Sequence, residues 1–359
     1  MAVPAAVLDA FALQISACRK LGSPFTAALL EILTAEMQRD GRPGDGTPGD
    51  GALARLIGTW SGDPVADALP LRLAGALHAL VLSGQAPSLA ACYPGHADLA
   101  GRSSLQAAVM HVIEHDAAHI ARYLAHPPQT NETLRSAVLI GGFTTLAQET
   151  EQPLRLLEIG ASAGLNSIWD KYRYRLGAAA LGPEDSPVLL ETDWQVPPPP
   201  LQMPRILSRA ACDRSPIDLH DSDQRLRLRS YIWADQRDRL ARLEAAIALA
   251  LAQNVTVERA DAGDWLAGQL AAGSRAGMPV IYHSIMWQYM PAATQQRLWQ
   301  LMAEEGSRRS LAWLRFEPAG NAGPFELRLT FWRNGEPDER QLATAHPHGA
   351  WIRWSADKE

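Results

Sequence analysis

The segment Leu154-Arg-Leu-Leu-Glu-Ile-Gly-Ala-Ser-Ala-Gly-Leu-Asn166 decides how the rest of the chain is read. Leu154, Leu156, Leu157 and Ile159 crowd apolar side chains together, and glycine and small residues follow at once. A short apolar run closed by glycine reads as a buried parallel strand entering a tight loop. Leu165, Ile168, Trp169 and Tyr172 then fall at helical spacing, which predicts strand, loop and helix in succession. Backbone amides at such a helix start hold anionic or polar ligand groups, and glycine lets a ligand approach the main chain.

The spacing narrows the choice of ligand. In place of the dinucleotide fingerprint G-x-G-x-x-G, the chain has Glu-x-Gly-x-x-x-Gly over Glu158, Gly160 and Gly164, with Ser162 where a middle glycine would stand. This resembles the first motif of the S-adenosylmethionine-dependent methyltransferases. The resemblance implies that Glu158, Gly160, Ala161, Ser162, Gly164 and Asn166 surround the amino-acid part and ribose of S-adenosylmethionine.

Downstream, strands and helices alternate. Strands are expected over 188–194, 206–212, 255–261, 279–283 and 311–316. Helices are expected over 231–252, from 262 through 270 and over 292–304. Such alternation predicts an α/β, doubly wound, Rossmann-like and mostly parallel sheet, with ligands at the carboxyl ends of its strands. Asp213, at the end of the second long strand, is expected to meet the ribose hydroxyls, with Asp193 as its rival. Asp261-Ala262-Gly-Asp-Trp265 resembles the methyltransferase segment that meets the adenine. Residues 172–205 read as an insertion, with prolines 197–200 as a stiff spacer.

The carboxyl-terminal part changes style. Phe325, Leu327, Leu329 and Phe331 alternate with polar residues, and Asn334-Gly335 signals a hairpin turn. Only Pro318 to Pro324 connect the last parallel strand to this run, whereas a parallel crossover needs roughly a dozen residues. An antiparallel hairpin is therefore expected, carrying His346 and His348 back to His283 and Glu317. These four are the candidate catalytic residues, with His283 first choice as general base.

Residues 1–150 read as a helical domain, followed by the α/β domain over 151–359. Gly41 to Gly51 reads as a mobile loop. Met110 to Tyr123 reads as a helix whose His111, His115 and His119 make a polar stripe. The helical domain is expected to roof the pocket, with Asn131, Glu132 and Arg135 facing the substrate beside Trp287 and Gln288. Thr130 or Asn131 is expected to cap the helix before the glycine-loop strand.

The chain of 359 residues carries a net charge of -6, against the basic face that nucleic-acid binding calls for. Its three cysteines form no C-x-x-C, so no cysteine zinc site is implied. No apolar run reaches membrane length, and the amino terminus lacks a basic region before an apolar run. No membrane or nucleic-acid partner, and a cytoplasmic setting, are expected.

Several segments together resemble one uncharacterised bacterial family, domain of unknown function 2332. They are Gln129-Thr-Asn-Glu132, Leu157 to Asn166, Cys212-Asp213 with Pro216, Trp233-Ala-Asp-Gln236, Tyr282-His-Ser284 with Trp287-Gln-Tyr289, and Ala345-His-Pro-His-Gly349. The resemblance spans nearly the whole chain and implies a methyltransferase-like domain behind a helical one. The leading expectation is methyl transfer to a small or medium-sized polar substrate. A metal-assisted hydrolase using His283, His346 and His348, and a non-catalytic ligand-binding protein, are the alternatives.

Overall fold

The computed structural model describes residues 3–40, 51–95, 101–195, 202–272, 276–320, 323–333 and 335–355. The loop expected over 41–50, prolines 197–200 and Asn334 lie outside the described residues. The chain forms two compact units, one of 1–130 with 221–241 and one of 131–220 with 242–359. The division falls at 130 rather than 150 because the helix Ser136–Thr150 packs on the sheet, where Phe143 stacks on Trp169 with ring centroids 4.4 Å apart.

The first unit is helical. Phe11, Leu30, Leu33, Leu73, Leu77, Leu80 and Ile113 are fully buried in its core. Its helix Pro24–Asp40 is capped from far along the chain. The Asp235 carboxylate accepts from Phe25 N at 2.8 Å and from the Ser23 hydroxyl. The Trp233-Ala-Asp-Gln236 segment therefore belongs to this unit. The helix expected over 231–252 starts only at Arg237 and runs to Ala252, and a separate helix, Ser222–Ser230, precedes the segment. The helix expected over 110–123 is two, Arg102–His115 and Ala117–Leu124. Asp116 leaves helical geometry between them, so His115 and His119 share no helix face. Among the described residues no helix is long and apolar enough to cross a membrane.

The second unit is α/β, built on a sheet of 11 strands among the described residues. They are β1 (Leu154–Ile159), β2 (Arg173–Leu176), β3 (Ala179–Leu181), β4 (Leu189–Trp194), β5 (Ile206–Asp213) and β6 (Glu258–Arg259). Then come β7 (Met278–Ser284), β8 (Leu311–Pro318), β9 (Phe325–Arg333), β10 (Glu336–Ala345) and β11 (Trp351–Trp354). The order is β3-β2-β4-β11-β10-β9-β8-β7-β1-β5-β6. From β6 to β8 all neighbours are parallel, and from β8 to β11 they alternate antiparallel. Every residue of β1 is buried, as a central parallel strand covered on both faces requires.

The register puts Pro318 opposite Phe325 and Phe325 opposite Ala345, so His346 enters its turn at the carboxyl edge of β8. Within residues 172–205, the strand expected over 188–194 is found as β4, and two short strands, β2 and β3, join it. Together the three extend the sheet through β11. Only two residues of the strand expected over 255–261 pair, as β6. The segment Leu165–Lys171 after the glycine loop is a 3-10 helix kinked at Ile168, not an α-helix.

Candidate functional site

The glycine loop is held from several sides by its own unit. Gly160, Ser162 and Gly164 all take positive φ, at 68°, 56° and 74°. Ala161 N donates to Cys212 O at 3.0 Å, and Ser162 N to Asp213 Oδ2 at 2.9 Å. Leu165 N, the first amide after the loop, donates to Asn131 Oδ1 at 2.9 Å. That amide is already satisfied, and the helix start expected to hold a ligand anion is absent.

Below the loop lies a dry polar network. Glu158 is buried, and burial pushes its carboxyl up to about 8. Its Oε2 accepts from the Tyr282 hydroxyl at 3.2 Å. Asn166, also buried, accepts from the Ser136 hydroxyl at 2.7 Å and donates to Glu132 O at 3.3 Å. Glu132 caps the short helix Thr133–Arg135 by accepting from Leu134 N at 3.1 Å, a role expected of Thr130 or Asn131. Asn131 and Glu132 thus support the loop from the α/β unit itself. They do not project from a separate roof. Arg135 donates to Pro347 O at 3.1 Å and to Ser284 O at 3.3 Å, tying the ends of β7 and β10 together.

A cleft of about 210 Å³ opens at the carboxyl ends of β1, β5 and β6. Gly160, Asp213, Asp261 and Ala262 line the strand side, and Met286, Tyr289 and Thr294 face them. Of the nine residues expected around the cofactor, these first four meet the cleft. Glu158, Ala161, Ser162 and Asn166 are buried away from it, and Gly164 packs on Val255 and Val257. Asp193 lies in β4, six strands from β1, roughly 29 Å at the usual strand spacing. Asp213 Oδ1 also accepts from Ser215 N at 2.8 Å. Asp261 Oδ1 accepts from Gly263 N at 2.9 Å, so this oxygen starts the next helix.

The far wall of the cleft was not expected from the sequence. Ile285 takes φ 50°, a left-handed conformation unusual for a β-branched residue and a mark of functional strain. It turns Met286 over the loop, where a Cβ added to Gly160 would lie 2.6 Å from Met286 Cε. Tyr289 is 76% exposed at the rim. The one available signal is the resemblance segment Trp287-Gln-Tyr289, which flags this turn without assigning its side chains.

Beyond the same turn is a second cavity of about 480 Å³, lined by Trp287, Gln288, Glu317 and Phe325. His283 and Glu317 are bonded, Nδ1 to Oε1 at 2.7 Å. His283 is fully buried, and its Nε2 accepts from Trp313 Nε1 at 3.0 Å, so Nδ1 carries the proton and donates to Glu317. Both ring nitrogens are engaged, against the role of general base expected for it. His346 and His348 sit in the turn after β10 with ring centroids 5.5 Å apart. Among the described residues no group of three or more His, Cys, Asp or Glu is arranged to hold a metal ion.

A family model described as an uncharacterized protein conserved in bacteria, DUF2332, matches residues 8–354. No curated protein matches the chain. No solved structure matches it either. The matched span takes in the glycine loop, both cavities and the His-Pro-His turn, and the chain belongs to the DUF2332 family.

Proposed function

We propose that the protein is an S-adenosylmethionine-dependent methyltransferase acting on a small or medium-sized polar substrate. One observation carries this reading: three strand ends far apart in sequence, at Gly160, Asp213 and Asp261, line a single cleft. The strand order β6-β5-β1-β7-β8 supports it, being the 3-2-1-4-5 order of doubly wound nucleotide-binding sheets. In such sheets ligands lie beyond the carboxyl ends of the strands.

The residues present fit the cofactor. Two carboxylates face a cleft where a ribose offers hydroxyl donors and an adenine an amino donor. Asp261 Oδ2 lies outside the bonds its Oδ1 makes to the helix start. Gly160 carries no side chain toward the cleft, and the space beside it is filled by the Met286 side chain from Cβ to Cε. At about 210 Å³ the cleft is smaller than the roughly 300–1,000 Å³ of ligand pockets, and a flexible methionine is suited to swing aside. Bound there, the cofactor supplies an electrophilic methyl group. Asp213 and Asp261 would orient it, and the turn 285–290 would have to shift for an acceptor in the cavity of Trp287, Gln288 and Glu317 to meet the methyl group.

Calorimetric titration with S-adenosylmethionine, S-adenosylhomocysteine and NAD tests this reading. The first two are expected to bind and the third is not. Tyr289→Ala, at an exposed rim position, is expected to weaken binding ~5- to 10-fold without loss of stability. No heat from either sulfur compound in the millimolar range would remove the proposal.

A further inference from the structure

Where the carboxyl end of β8 meets the amino end of β9, like charges face each other in two pairs. Glu317 stands directly opposite Glu326, and Arg315 directly opposite Arg328. Like charges opposed across a ladder are unfavourable. Arg328 answers Glu326 at 2.8 Å and Glu339 at 2.8 Å. Arg315 pairs with Glu339 at 2.8 Å, donates to Thr330 Oγ1 and lies 4.1 Å over the Trp313 ring. Glu326 and Glu339 thus hold both guanidinium groups, and among the described residues Glu317 has no close ion pair with Arg or Lys.

The hydrogen-bond partners of Glu317 are neutral groups, and Arg315 acts on it only at longer range. Its Oε1 accepts from His283 Nδ1 at 2.7 Å, Met286 N at 3.0 Å and Trp287 N at 3.3 Å. An oxygen accepting three donors is a carboxylate oxygen, and the His283 beside it is neutral because its Nε2 accepts from Trp313. Oε2 is buried and has no hydrogen-bond partner among the described residues. A shielded carboxylate without a close counter-ion is costly to maintain. Glu317 is among the residues lining a cavity of about 480 Å³ that also carries the aromatic side chains Trp287 and Phe325, and a ligand there meets the sealed Oε2 once the side chain turns toward it.

We propose that this cavity receives the cationic nitrogen of an amine, with Glu317 as its counter-ion and the aromatic side chains as its walls. An ammonium group bonds a carboxylate and rests on ring faces, and both features adjoin here. A metal ion would need several oxygen, nitrogen or sulfur ligands, and among the described residues the lining offers the side-chain groups of Glu317 and Gln288. The inference deepens the methyl-transfer reading, in that the amine would be the acceptor substrate: the ammonium would give a proton to Glu317, its nitrogen would form the C–N bond as the methyl C–S bond breaks, and S-adenosylhomocysteine would leave.

The test uses the full chain and two probes of equal shape, benzylammonium chloride and benzyl alcohol, followed by ligand-observed NMR. Benzylammonium is expected to bind at least ~10-fold more tightly than the alcohol, because only it forms a charge-assisted hydrogen bond. Glu317→Gln is expected to abolish that preference and leave alcohol binding unchanged. Glu326→Gln, whose partner is Arg328, is expected to leave the preference intact. Should Glu317→Gln fail to fold, the charged-against-neutral comparison and a Trp287→Leu variant, expected to weaken the amine, still decide. Equal binding of the two probes, or binding of neither in the millimolar range, would overturn the proposal. So would binding of magnesium or zinc chloride that excludes the amine. S-adenosylhomocysteine is titrated separately. Amine binding without it leaves the amine site and removes methyl transfer, and the converse removes only the amine site.

Discussion

Glu158 sits under the glycine loop with its carboxyl shielded from water and the Tyr282 hydroxyl bonded to it. Burial raises that carboxyl from an ordinary value of 4.5 to about 8. Between these pH values the folded chain keeps a proton that the unfolded chain has released. Stability is therefore full below this window and falls as pH rises through it, by at most about 1.4 kcal/mol per pH unit. Glu158→Gln removes the titration and keeps the shape. Urea midpoints should show the variant gaining on the wild type from pH 5 to pH 8, and parallel profiles would contradict the assignment. Gly160 is the other residue whose chemistry is decided by the main chain. At φ 68° an added Cβ costs about 1–2 kcal/mol, and here it also meets Met286. Gly160→Ala should lower stability, and adding Met286→Ala should recover the contact but not the backbone strain. Thermal melts of the single and double variants measure the two parts. A ligand test based on Gly160→Val would confound strain with lost binding.

At the scale of elements, Arg135 joins the end of β7 to the turn after β10 through Ser284 O and Pro347 O. Arg135→Ala should cost about 1.5–3 kcal/mol, the range for hydrogen bonds from charged groups. Lysine should not restore it, because one ammonium lacks the guanidinium fork. Urea denaturation and amide exchange at 346–349 check this, and unchanged exchange there would show that the turn stands without the tie. The strands found at 154–159, 278–284 and 311–318 were legible, because buried parallel strands leave largely apolar runs. The hairpin of β9 and β10 was legible from alternation and connection length. Strands β2, β3 and β11 were not, since three- and four-residue segments acquire pairing only from neighbours. The helix break at Asp116 and the non-helical segment Trp233 to Gln236 were missed because apolar periodicity runs on through a short interruption. The second is read only from Asp235, whose partners Ser23 and Phe25 lie some 210 positions away.

For the molecule as a whole, the site was legible where a residue ends a strand and illegible where it follows one. Gly160, Asp213, Asp261 and Glu317 each close or leave a strand, and topology alone brings the first three to one cleft. Met286 and Tyr289 reach that cleft through a left-handed Ile285, a conformation that sequence preferences for β-branched residues argue against. Glu158 and Asn166 hold a motif's positions and are buried outside the lining of the cleft, which spacing along the chain does not reveal. The polar tie between His283 and Glu317 leaves the histidine closed and the carboxylate without a close ion pair, a distinction carried by Trp313 from the neighbouring strand. The central claim is that one ligand bridges three distant strand ends and the turn after β7. Amide hydrogen exchange of the full chain, with and without S-adenosylhomocysteine, tests it most directly. The account predicts slower exchange at 160–164, 212–217, 260–264 and 285–291 together. Unchanged exchange across these segments at millimolar ligand, or protection confined to a single one of them, would contradict it.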